Sequence, residues 1–427
     1  MPYPAAPARL ACLLLGSLLS LCACAEAGKT VLQSNAAGTA LVSPSTATPD
    51  DASQSTLSFV QWREAFRSRA LASGLPASLL HSALDDLQPD PAVLKADSSQ
   101  PEFSRPVWAY LDSALANSRV RQGQRLMALH VNALQAIEQR YGVERQILVA
   151  VWGMESDFAR FMGNQSVIRS LATLAHHGRR PQFAEEQLLA ALQILHSGDI
   201  SLAEMRGSWA GAMGQTQFMP TTYLSHAVDF DGDGKRDLWH SSSDALASAA
   251  HYLQASGWQR GQRWGFEVSL PNHFDYALAD DSLRLSLAEW AQRGVQLPPG
   301  GDLQQRASLI LPAGHRGPAF LVMDNFRAIL RYNNSTSYGL AIGLLSDALL
   351  GRPGVRASWP RSDQPLSRSQ RIGLQEALQA RGYNPGPADG IIGANTRRAI
   401  RAYQQSLGWP ADGYPDLRLL EELQKQP

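Results

Sequence analysis

Apolar positions change their spacing several times along this chain, and each change marks a boundary. Arg9 precedes a mostly apolar run over residues 10–21. That run is too short to span a bilayer and has the size of a signal-peptide core, so residues 1–24 read as an export leader. Residues 25–56 are rich in Ala, Ser, Thr and Gly without an apolar period, which predicts a flexible tether. From Leu57 the spacing turns helical. Phe59, Trp62, Phe66 and Ala70 recur on one face, followed by Leu79, Leu80, Ala83, Leu84 and Leu87. Helical signals continue to about residue 255, punctuated by Gly142, Gly163, Gly178 and Gly198.

Between residues 264 and 326 the pattern alternates instead. Segments 266–270, 307–311 and 319–323 predict strands, with a short helix at 287–293 among them. Helix returns at 337–350. A Pro- and Ser-rich stretch at 353–365 predicts a linker, and 366–427 a separate small helical module. The expected fold class is therefore mainly α: a helical domain over 57–352 with a β-containing insertion at 264–326, then a small three-helix C-terminal domain. No long internal repeat is visible.

Composition narrows the partners. The 427 residues can bury one large core and a small second domain. Lys plus Arg and Asp plus Glu both number 38, so the formal net charge is zero. Nucleic acid recognition needs a basic footprint to neutralise phosphates, and nothing in that balance argues for it. All three cysteines (Cys12, Cys22, Cys24) fall in the leader, which leaves no disulfide, thiol nucleophile or thiolate metal site downstream. Leu21-Cys22-Ala23-Cys24 resembles a lipobox with Cys24 as the lipidated residue, while Ala23-Cys24-Ala25 also reads as an ordinary cleavage site. Both destinations stay open: anchored to the outer membrane through Cys24, or soluble in the periplasm of a Gram-negative-type cell. A monomer is the default expectation.

One acid stands out. Ile147, Leu148, Val151 and Met154 form an apolar stripe at helical spacing, and Glu155 falls on it, four residues after Val151 and seven after Leu148. A carboxyl on an apolar face is desolvated and favours its protonated form, as a general acid for glycosidic cleavage requires near neutral pH. The competing reading is a Glu at the edge of the stripe, reaching solvent or an Arg. Asp157 lies on a different side of the helix and reads as a surface or capping residue. Downstream, Gly207-Ser208-Trp209-Ala210-Gly211-Ala212-Met213-Gly214-Gln215-Thr216-Gln217-Phe218-Met219-Pro220 gives a polar, glycine-rich wall that could face the acid. Gly211 and Gly214 would let backbone approach a ligand closely, or serve helix packing.

A second constellation is Asp229-Phe230-Asp231-Gly232-Asp233-Gly234-Lys235-Arg236-Asp237, with the spacing of an EF-hand calcium loop. Asp229, Asp231 and Asp233 hold positions one, three and five, Lys235 position seven and Asp237 position nine. Position twelve departs, with His240 in place of Glu. Carboxylates this close repel without a cation; the alternative is a solvated acidic turn.

These blocks carry a family likeness. Gln100-Pro101-Glu102-Phe103, Trp152-Gly153-Met154-Glu155-Ser156, His177-Gly178-Arg179-Arg180, the 207–223 block and Arg331-Tyr332-Asn333-Asn334-Ser335-Thr336-Ser337-Tyr338 occur in the order of the lytic murein transglycosylases of the membrane-bound type B family, which the chain resembles over about residues 59–350. The resemblance implies a lysozyme-like helical core and cleavage of the MurNAc–GlcNAc β-1,4 bond of peptidoglycan without water, giving 1,6-anhydro-MurNAc ends. It makes Glu155 acid and then base, and substrate-assisted enzymes are a recognised exception to the two-carboxylate rule. Ser208 and Gln217 match sugar contacts, Tyr332, Asn333 and Tyr338 a wall that positions the N-acetyl group, and Arg179 and Arg180 a basic pair for stem-peptide carboxylates. The family places its last loop ligand on a later Asp, for which Asp244 is the match; the implied calcium is structural, and no catalytic cofactor is implied.

At the C-terminal end, Ala388-Asp389-Gly390-Ile391-Ile392-Gly393, then Asn395-Thr396, and Asp412-Gly413 resemble a small three-helix peptidoglycan-binding domain. The leading expectation is thus a peptidoglycan lyase acting on glycan strands and stem peptides. The alternatives are a hydrolytic muramidase, which would need a second carboxylate, and a catalytically silent wall-binding protein.

Overall fold

The computed structural model describes residues 57–99 and 105–425. The expected leader, Cys24, the tether and the 100–103 block lie outside the described residues. The described residues form seventeen α-helices and six short strands, so the chain is mainly α. No described helix is long and apolar enough to cross a membrane.

The helix Arg145–Ser156 lies at the centre. Its buried residues run without a break from Ile147 to Gly153 and include Ser156. A helix apolar on every side is stable only when surrounded. The expected one-sided stripe is therefore an underestimate: Thr336–Leu349, Asn117–Leu129, Ser242–Ala255 and Val131–Tyr141 all pack on it. These helices share one core with Trp258, Trp264, Phe326 and Tyr338. A second core gathers Phe59–Ala72, Ala77–Leu84, Val167–His177 and Pro181–Ser197, with Met213, Phe218 and Tyr223. Tyr332 packs against both. The residues of interest lie along this junction.

The β-containing part is a four-stranded antiparallel sheet in the spatial order Gly265–Val268, Ala319–Val322, Arg306–Ile310, Leu285–Ser286. Ala319–Val322 is buried throughout because alternate residues serve different cores. Phe320 and Val322 face the central helices, while Ala319 and Leu321 face a local cluster around Trp290. A strand covered on both faces reads as a continuous apolar run. The strand Leu285–Ser286 is too short to show a period, and sequence reasoning missed it.

The C-terminal helices Arg368–Ala380, Ala394–Ser406 and Leu417–Gln424 enclose their own core of Leu374, Leu378, Ile400, Tyr403, Leu419, Leu420 and Leu423. This module is seated on the β-containing part through polar groups. Arg401 donates to the Ala279 carbonyl at 3.1 Å and pairs with Asp280. Asp412 accepts from the backbone N–H of His315 at 2.8 Å and lies 2.6 Å from its Nδ1.

Candidate active site

Glu155 is the penultimate residue of the central helix. Immediately after it the chain makes a left-handed turn without glycine: Asp157, Phe158 and Ala159 have φ of 50°, 61° and 68°. Such a run is strained and persists only where its surroundings impose it. Phe158 fills the space that a Cβ on Gly153 would occupy, 2.7 Å from its ring. Ser156 fixes the turn from inside, accepting from Ala159 N at 2.9 Å and donating to the Gln215 carbonyl at 2.6 Å. The end of the acid-bearing helix is thereby tied to the polar, glycine-rich wall.

Glu155 itself is half-buried. Burial pushes its carboxyl up to about 7, opposed by the Tyr338 hydroxyl, which donates to Oε1 at 2.5 Å and favours the charged form. Tyr338 is held protonated well above the usual phenol range, first by burial and then by the Glu155 charge, so it remains a donor. Its neighbour Tyr332 donates to the Thr216 carbonyl at 2.6 Å. Asn333 Oδ1 and Thr216 Oγ1 are buried and make no hydrogen bond among the described residues. Unsatisfied buried oxygens are rare, and here two of them border the acid's wall.

The wall folds on itself. Ser208 Oγ accepts from Ala212 N at 3.0 Å, and Gln217, also left-handed at φ 51°, donates its amide to Met162 O at 3.1 Å and Gly214 O at 2.8 Å. Gly211 and Gly214 do not expose backbone to a ligand as one reading allowed. Both have positive φ, and a Cβ would meet Leu171 Cδ2 at 2.6 Å or the Leu238 carbonyl at 2.6 Å. They are packing glycines. Arg179 is engaged elsewhere, its backbone and Nε both on the Asp97 carboxylate, while Arg180 lies 4.4 Å over the Phe183 ring. Asp157 caps the helix and pairs with Arg119 and Arg160.

The chain has counterparts among known proteins. Residues 58–347 match the family model for the transglycosylase SLT domain. The chain belongs to that family. Residues 367–423 match a peptidoglycan binding domain. The solved structure of SltB3 from Pseudomonas aeruginosa in complex with NAG-anhNAM-pentapeptide is 60% identical, with a TM-score of 0.84 over 86% of this chain and 100% of that one. Escherichia coli Slt35 in complex with calcium is 30% identical, with a TM-score of 0.60 over 68% of this chain and 93% of that one. Membrane-bound lytic murein transglycosylase B of Escherichia coli K12 is 33% identical over 247 residues, 56% of this chain and 66% of that relative. The helical core is thus of the lysozyme-like kind of the lytic transglycosylases.

One neighbour of Glu155 escaped sequence reasoning. Tyr110, on the helix Val107–Ala114, is pushed up to about 12 by burial and next by the negative charge of Glu155. It stands in the apolar helix that follows the 100–103 block, where a tyrosine looks like core, and nothing local marks it.

The acidic loop divides its members. Carboxylate oxygens of Asp229, Asp231 and Asp244 lie within 4.8 Å of one another, so a hard cation fits them. Asp244 is fully buried and also accepts from the backbone of Phe230 and Asp237, which ties the loop to the helix Ser242–Ala255. Asp233 accepts from Lys235 N at 2.9 Å. Asp237 is turned to Trp239 N, His240 N and His240 Nδ1, which commits its carboxylate outside that cluster.

Proposed function

We propose that this SLT-family transglycosylase cleaves the MurNAc–GlcNAc β-1,4 bond of peptidoglycan without water and leaves 1,6-anhydro-MurNAc ends. The observation that carries the reading is a single carboxyl, Glu155, raised by burial to about 7 and held by Tyr338. Near neutral pH such a group is available in both forms, as one residue acting first as acid and then as base requires.

Glu155, protonated, gives its proton to the glycosidic oxygen, and the bond to C1 breaks. The substrate's own 2-acetamido oxygen stabilises the cationic C1. The Glu155 carboxylate, steadied by the Tyr338 hydroxyl, then takes the proton of the C6 hydroxyl as O6 closes onto C1, which restores the acid. Asn333, with its free Oδ1, suits the N–H of an N-acetyl group. Tyr332, Ser208 and Gln217 shape the wall against which the sugar rests. Hydrolysis would ask for a second carboxylate to activate water. The next one in sequence, Asp157, is committed to Arg119 and Arg160, which favours the one-acid route. The ligand of SltB3, NAG-anhNAM-pentapeptide, has the chemistry of the proposed product.

Around this centre, the C-terminal domain would hold the enzyme on its insoluble substrate and raise its local concentration. Arg180 is the better placed of the two arginines for stem-peptide carboxylates, since Arg179 is already paired. Asp229, Asp231 and Asp244, with Asp233 and the Lys235 carbonyl from the same loop, would hold calcium as a structural ion that neutralises the clustered carboxylates. The N-terminal leader would deliver the protein to the periplasm, soluble or anchored through Cys24; labelling with a palmitate analogue decides between them.

The test is mass spectrometry of muropeptides released from purified sacculi by the wild type and by Glu155→Gln. Anhydro ends that fall by about 10²- to 10⁴-fold in the variant support the reading. Reducing ends from the wild type make the enzyme a muramidase, and no release at all makes it a wall-binding protein.

A further inference from the structure

The left-handed turn after Glu155 and the residues just beyond it carry two phenylalanines with opposite fates. Phe158 is 5% exposed and packed beneath the helix end, whereas Phe161 is 70% exposed. Single exposed apolar side chains are ordinary on protein surfaces. Phe161 differs in how firmly its backbone is placed. Its N–H donates to the Ser156 carbonyl at 2.8 Å, on the residue next to Glu155. The following residue, Met162, accepts the Gln217 side chain, and Gly163 sits so close to Gly207 that a Cβ would lie 2.1 Å from its carbonyl oxygen. Arg160, paired with Asp157, lies 6.0 Å from the Phe161 ring. A strained, multiply bonded turn thus holds an aromatic ring in solvent at the seam between the acid and the Ser208–Gln217 wall.

A pyranose ring presents a face of axial C–H groups whose partial positive charge suits the negative face of an aromatic ring. We propose that Phe161 is a stacking platform for a sugar ring of the glycan strand, adjoining the ring cleaved at Glu155. The proposal rests on the reading of the cleft as a glycan site. It explains why strain is retained here: the same three left-handed residues that bury Phe158 carry Phe161 out to the lip.

The experiment uses the full chain and soluble glycan strands from purified sacculi, with Phe161→Ala, Phe161→Leu and Phe161→Trp. The expected result is a KM raised roughly three- to tenfold in the Ala and Leu variants with kcat unchanged, a near wild-type KM for Trp, and unchanged melting temperatures. The same substitutions in a Glu155→Gln background, titrated calorimetrically with uncleaved strands, should weaken Kd by the same factor. An unchanged KM and Kd for Phe161→Ala overturns the proposal, and so does a Leu variant equal to wild type. The calorimetric arm reads stacking without turnover, so failure of the water-free reaction would not be mistaken for failure of the platform.

Discussion

Two shielded carboxylates in this chain have been driven in opposite directions. Glu155 is raised to about 7, while Asp412, 7% exposed at the seam between the C-terminal domain and the β-containing part, is lowered despite the burial that opposes it. The difference lies in the donors. Asp412 faces His315 N at 2.8 Å, His315 Nδ1 at 2.6 Å, Gln404 Nε2 at 2.8 Å and Tyr414 N at 2.9 Å. Glu155 receives one hydroxyl. Burial alone disfavours charge, and hydrogen bonds to the charged form reverse it. The seam is built to keep its charge and hold two domains together; the cleft is built so that its charge can come and go.

Breaking the seam should have the largest effect. Asp412→Ala leaves several buried donors unpaired and should cost about 3–5 kcal/mol in chemical denaturation. Because the folded pKa of Asp412 is depressed, its contribution is present above the usual carboxylate range and is lost as pH falls from that range through the lower folded value. The acidic loop is a third case, where Asp229, Asp231 and Asp244 gather although backbone N–H groups already serve Asp229 and Asp244. Stripping calcium should lower the melting temperature, and restoring it at a hundredfold its Kd should return about 2.7 kcal/mol; scanning calorimetry with and without chelator reads this, and no shift removes the ion.

At Glu155 the sign inverts. The unfolded side chain ionises in the usual range and the folded one near 7, so between those values the folded state keeps a proton that the unfolded state has released. Stability falls as pH rises through that window. Glu155→Gln should therefore be more stable than wild type by about 3 kcal/mol at pH 8 and nearly equal at pH 4. The smallest change is Tyr338→Phe. Removing the donor raises the Glu155 pKa further, so the alkaline limb of the pH–rate profile should move to higher pH while kcat drops about tenfold. An unmoved limb would mean that Tyr338 does not touch the reacting acid.

Much of this was legible in the sequence because it is local. Helical spacing located most elements, the acid and its flanking Trp152-Gly153-Met154 stood in one block, and Asp229 and Asp231 announced themselves by spacing. What escaped depends on distant segments meeting. Tyr110 and Phe161 gain their interest only from neighbours in space. Gly211 and Gly214 looked like a sugar-facing backbone until Leu171 and Leu238 filled the space beside them. Arg179 found Asp97, a partner 82 residues away, which no pattern in its own loop foretold.

The central claim is that one carboxyl cleaves the strand without water. Digestion of purified sacculi by the wild-type protein in ¹⁸O-water, followed by mass spectrometry of the new muramoyl ends, tests it most directly. The account predicts anhydro ends without ¹⁸O. Reducing ends carrying one ¹⁸O would contradict it and require a second catalytic group.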